Sequence, residues 1–126
     1  MPVILSPPNQ TGSPRTKWLT RRKKVSKLIA DKELSKVAQD NSDWMAQTRK
    51  LSHSGISLLE DRIDKKWNYF GENIAFGYID SKEVMKVWLE SSDHKENIMN
   101  KRYTHVGIGI SQADSGKIYW CVVYAG

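Results

Sequence analysis

The run KIYWCVVYA, residues 117–125, carries apolar or aromatic side chains on both faces of an extended chain. Successive side chains of a strand point to opposite faces, so this run reads as a central strand. Just before it, THVGIGIS (104–111) alternates, with Val106, Ile108 and Ile110 on one side and Gly107 and Gly109 on the other. The ADSG between them reads as the turn of a hairpin. Upstream lies DKELSKVAQDNSDWMAQTRK, in which Leu34, Val37, Ala38, Asn41 and Met45 fall on one helical stripe. Asp31 suits its N-cap and Glu33 the positive end of its dipole, and the helix is expected to end near Lys50. DSKEVMKVWLESS opens a second helix with an Asp80–Glu83 capping box and a buried stripe of Val84, Val87 and Trp88. A further Asp-x-x-Glu at Asp93 and Glu96 would put His94 at the first position of a short helix. Helices followed by a terminal antiparallel hairpin indicate an α+β sandwich rather than a parallel sheet.

Between the helices, residues 51–78 show little periodicity. Only LLEDRIDKK suggests a turn or two of helix, and the rest reads as a long connection, which in a small domain is usually functional. At 126 residues the chain is expected to form one domain over 16–126. All four prolines fall within residues 1–15, which read as an extended or flexible arm. TKWLTRRKKVSKL (16–28) has weak helical periodicity and reads as a short first helix. No apolar run approaches the roughly 20 residues that span a bilayer. The start, MPVILSPPNQ, lacks the basic segment and longer apolar core of a secretory signal.

Of the 20 Lys and Arg residues, seven lie in residues 1–28, which hold no acid; the other 98 residues balance at −1. The excess in residues 15–27 offers a docking segment for a polyanionic surface, beside the plainer reading as a solvated helix face. No nucleic-acid motif follows it, so nucleic acid is not an expected partner. Cys121 is the one cysteine, which excludes an intramolecular disulfide; in its apolar strand it reads as a buried, inert thiol.

The polar chemistry centres on few residues. The histidines are His53, His94 and His105, and no local metal, phosphate or nucleophile motif contains them. Any site must be assembled from distant segments. In FGENIAFG, Glu72 sits beside an amide among small and apolar residues, either as an acceptor for loop N–H groups or as a buried carboxylate facing a histidine or cation. Arg62 is a candidate anchor for such an acid. A helix start disfavours imidazolium, so His94 is expected neutral, the form that takes a proton or ligates metal. Trp44, Trp88 and Trp120 read as core.

SDWMAQTRKLSHSG, DRI, GENIAFG, VWLESSDHKENIMNKRYTHVGIGI and YWCVVYAG, in this order, resemble the bacterial SCP-like branch of the CAP superfamily of cysteine-rich secretory, antigen 5 and pathogenesis-related proteins. The likeness runs from about residue 31 to the end. It implies a three-layer α-β-α sandwich around a twisted antiparallel sheet, an extracellular or cell-envelope setting, and a cleft of histidines and acids that binds a divalent cation in several members. His53 matches the histidine after the long helix, Glu72 the glutamate of the Gly-Glu-Asn motif, and His94 the histidine before Asn-Ile. Asn73, Ser91, Arg102 and His105 occupy supporting positions, Asn73 being expected to hold the loop. Where eukaryotic members place a second glutamate this chain has Ser91, and where they place a second histidine it has Arg102.

The resemblance therefore implies a His/Glu cleft for a small apolar or peptide ligand, with a weakly held zinc or magnesium ion. Two imidazoles, a carboxylate and water would fill four positions around zinc. A second reading is a metal-assisted hydrolase in which Glu72 and His53 activate water. A third is an interaction module docking through the basic N-terminal segment.

Overall fold

The structure is a computed structural model that describes residues 28–53, 59–64, 66–77 and 80–126. Its elements are β1 (Ile29–Ala30), α1 (Lys32–Thr48), α2 (Leu59–Arg62), β2 (Phe70–Gly77), α3 (Ser81–Leu89), α4 (Ser92–Met99), β3 (His105–Gln112) and β4 (Ile118–Ala125). The N-terminal arm, the basic segment and, apart from Leu28, the expected first helix lie outside the described residues.

The four strands run in the order β1-β3-β4-β2, which places β4 inside the sheet as its two apolar faces require. β2 and β3 both pair with it antiparallel. β1 pairs with β3 in parallel, Ile29 opposite His105, so the sheet is mixed at that edge rather than wholly antiparallel. A parallel pair needs a long crossover, and everything from α1 to α4 lies between β1 and β3.

Alternation along β4 builds the two cores. Trp120, Val122 and Tyr124 pack with Val84, Met85, Trp88 and Ile98 of α3 and α4. Tyr119, Cys121, Val123 and Ala125 pack with Leu34, Val37, Ala38 and Met45 of α1 and with Ile63 beyond α2. The result is the three-layer α-β-α arrangement. On β3 the glycines make the second interface possible. A Cβ on Gly107 would collide with the backbone of Leu34 and Ser35, and one on Gly109 with that of Ala38. α1 thus lies main chain to main chain against β3.

The caps hold α1 and α3 as expected. Asp31 Oδ2 accepts from Leu34 N at 3.0 Å, and Asp80 Oδ1 from Glu83 N at 2.9 Å, each worth about 1 kcal/mol. Arg49, at φ 59°, closes α1 in the left-handed region. Two expectations change. FGENIAFG is no loop: it is β2, paired with β4 along its full length, from Phe70–Ala125 to Gly77–Ile118. α4 begins at Ser92 with Ser91 as N-cap, so His94 is its third residue and Asp93 caps nothing. Only Glu90 and Ser91 separate α3 from α4, and that short join fixes the start.

Candidate functional site

Because β2 is extended, its adjacent polar residues Glu72 and Asn73 face opposite layers. Glu72 points toward α1 and is nearly sealed, its side chain 4% exposed. Its Oε1 meets His53 Nδ1 at 3.1 Å. Its Oε2 accepts from Arg62 Nη2 at 3.2 Å, Cys121 Sγ at 3.1 Å and Asn41 Nδ2 at 3.4 Å. A buried carboxylate is tolerated only when paired and hydrogen-bonded, and this one is both.

Each donor is positioned by its element. Asn41 is the amide on the apolar stripe of α1, fully buried, and it also donates to Ser52 O at 3.2 Å. Its Oδ1 has no partner among the described residues, so the amide is turned entirely toward the acceptors below it. Cys121 is placed by the β2–β4 pairing, in which Glu72 faces Val123 and Ile74 faces Cys121. Burial and the neighbouring carboxylate push its thiol well above the usual range, keeping it protonated and a donor. Arg62, at the end of α2, is itself buried and also donates to His53 O at 2.9 Å. It thereby ties the segment after α1 to β2.

His53 is the member open to solvent, its side chain 57% exposed. With Nδ1 turned to Glu72, Nε2 lies on the far side of the ring. Neutral His53 therefore carries its proton on Nδ1 and presents an Nε2 lone pair.

Asn73 works on the other face, joining helix to sheet rather than holding a loop. Its Nδ2 donates to His94 O at 3.1 Å and Tyr124 Oη at 3.4 Å, and its Oδ1 accepts from Asn97 Nδ2 at 2.7 Å. Asn97 also reaches Glu72 O at 3.3 Å, and Tyr103 Oη donates to Phe70 O at 3.0 Å. Carbonyls on the outer edge of β2 are thus taken up by α4 and the turn after it.

His94 does not join the Glu72 cluster through a hydrogen bond. Its Nδ1 lies 2.9 Å from Ser91 Oγ, and its ring stacks on Trp88 with centroids 6.0 Å apart. Burial, then repulsion from His53, lowers its pKa, and Asp93 opposes this. His105 and Arg102 stand elsewhere. His105 packs on Trp67 at 5.1 Å with Nδ1 2.7 Å from Thr104 Oγ1, and the Arg102 guanidinium covers Tyr69 at 5.0 Å. A polar cavity of about 370 Å³, lined by Asp43, Arg49, Gln112 and Asp114 among others, opens by the β3–β4 turn and includes none of the cluster.

The donor set around Glu72 does not suit a divalent cation. Arg62 and Asn41 present N–H groups, which cannot ligate, and the Cys121 thiol donates to the same carboxylate oxygen. Among the described residues no three His, Cys, Asp or Glu side chains are grouped to hold a metal.

The model of the cysteine-rich secretory protein (CAP) family matches residues 15–124. The chain belongs to the CAP family. A curated relative, the uncharacterized membrane protein YlbC of Bacillus subtilis (strain 168), is 31% identical over 93 residues, 70% of this chain and 27% of YlbC. This CAP chain thus spans about a quarter of that relative's length. Among solved structures, an outer surface protein of Borrelia burgdorferi superposes with a TM-score of 0.78 at 23% identity, over 85% of this chain and 83% of that one. An extracellular SCP-domain protein of Bacillus anthracis gives 0.77 at 24% identity, over 88% of this chain and 37% of the other. At these identities the two structures establish the CAP fold, and with it the sandwich. No helix among the described residues is long and apolar enough to cross a membrane.

Proposed function

We propose that this CAP domain is a binding module in which His53 recognises the ligand and Glu72 is the buried post that orients it. The observation that carries this reading is the saturation of the Glu72 carboxylate, 4% exposed with four donors about its two oxygens. A general base needs a lone pair facing the water it activates. Here the outward lone pair belongs to His53 Nε2, an acceptor suited to an N–H or O–H donor. The ligand class is accordingly a peptide, or a small apolar molecule carrying a hydroxyl. The surface and extracellular descriptions of the two structural neighbours support an extracellular or envelope setting.

Calorimetric titration with short peptides and long-chain alcohols tests this. A ligand held by the wild type and weakened about tenfold or more in His53→Ala supports the reading. Equal uptake by both proteins removes it. Turnover of peptide or ester substrates by the wild type, abolished in Glu72→Gln, would favour the hydrolase reading instead.

A further inference from the structure

The ligand reading leaves one buried charge unused. We infer that Arg62 is the resident cation of this site, filling the place against Glu72 that a divalent ion would take, so that the site works without a metal.

Charge supports this first. Arg62 and Glu72 side chains are 7% and 4% exposed and lie 3.2 Å apart, a neutral pair removed from water. A divalent ion bound to the same carboxylate would sit beside a guanidinium that does not lose its proton, in surroundings that screen poorly. Geometry supports it next. His53 Nδ1 and Glu72 Oε1 are bonded to each other at 3.1 Å, and Oε2 is taken by Arg62 Nη2 at 3.2 Å, so both carboxylate oxygens already have N–H partners where an ion would need them. Connectivity is the third support. By holding His53 O at 2.9 Å as well as Glu72 Oε2, the guanidinium does the bracing a bridging ion would do, joining the segment after α1 to β2.

The test is a titration of the full chain with zinc and magnesium chloride, read by the His53 ring resonances and by the thermal midpoint with and without chelator. In the wild type, any effect of millimolar metal on the exposed His53 Nε2 should be the same in Glu72→Gln, and chelator should leave the midpoint unchanged. Arg62→Met should gain a zinc-dependent rise in midpoint that disappears in the Arg62→Met/Glu72→Gln double variant. Zinc shifting His53 in the wild type, with the shift lost in Glu72→Gln, would overturn the inference. So would an Arg62→Met protein that takes up no metal. Should Arg62→Met not fold, the wild-type and Glu72→Gln resonances still decide, and Arg62→Lys, which keeps a cation, should show no zinc-dependent rise in midpoint. This titration reads Arg62 whereas the ligand titration reads His53, so either can fail without the other.

Discussion

Replacing Glu72 with glutamine keeps the shape of the side chain and removes its charge, which isolates what the carboxylate does. Oε2 faces three donors and Oε1 one, whereas an amide offers one acceptor oxygen and an NH₂ group. Glutamine fits only with its oxygen among Arg62, Asn41 and Cys121 and its NH₂ toward His53 Nδ1. The buried Arg62 then loses its counter-charge. Breaking such a pair from one side costs about 3–5 kcal/mol. A denaturant slope of about 1–3 kcal/mol per molar urea turns that into a midpoint lower by about 2 M. Urea unfolding followed by the fluorescence of buried Trp88 and Trp120 measures it. The same variant reverses the His53 tautomer, because Nδ1 now faces a donor and must accept. Ring nitrogen shifts in nitrogen-15 spectra should report Nδ1–H in the wild type and Nε2–H in Glu72→Gln. A stability loss below about 1 kcal/mol together with an unchanged tautomer would refute the account, since both effects stem from one carboxylate.

Two further outcomes are expected. The pKa of His94 is lowered by burial and by His53, so below the ordinary value of 6.5 the unfolded chain binds the proton first. Stability should therefore fall as pH drops through that value, the loss levelling off below the folded pKa, and His94→Gln should flatten this part of the profile; parallel profiles in urea would contradict it. Gly107→Ala drives a methyl group into the α1 main chain, which cannot rotate away as a side chain would. Its cost should lie at the upper end of about 1–3 kcal/mol, seen as a lower thermal midpoint, and an unchanged midpoint would mean that α1 rides higher on β3.

The elements legible in the sequence are those whose pattern is local. The alternation of β3, the two apolar faces of β4 and the caps at Asp31 and Asp80 depend on near neighbours, and the structure has each of them. β2 was illegible because Glu72 and Asn73 interrupt its apolar run, and their partners come from segments far along the chain. A buried carboxylate facing a histidine was one of two alternatives left open by the residues; the structure makes that histidine His53, with Arg62 bonded to both. Asn41 stood in plain view as the amide on an apolar stripe, a signal that a buried acceptor lay opposite. Cys121 offered no such signal, because its bond to Glu72 exists only through strand pairing.

The opposite destinations of Glu72 and Asn73 also guard against misthreading. Were β2 to slip by one residue along β4, every side chain would change sides. Arg62 would then meet an amide, and a carboxylate would be pressed toward the His94 carbonyl oxygen that Asn73 now engages. Each surface of the sheet rejects the slipped alignment separately, so the outermost long strand locks into place like a key cut on both edges.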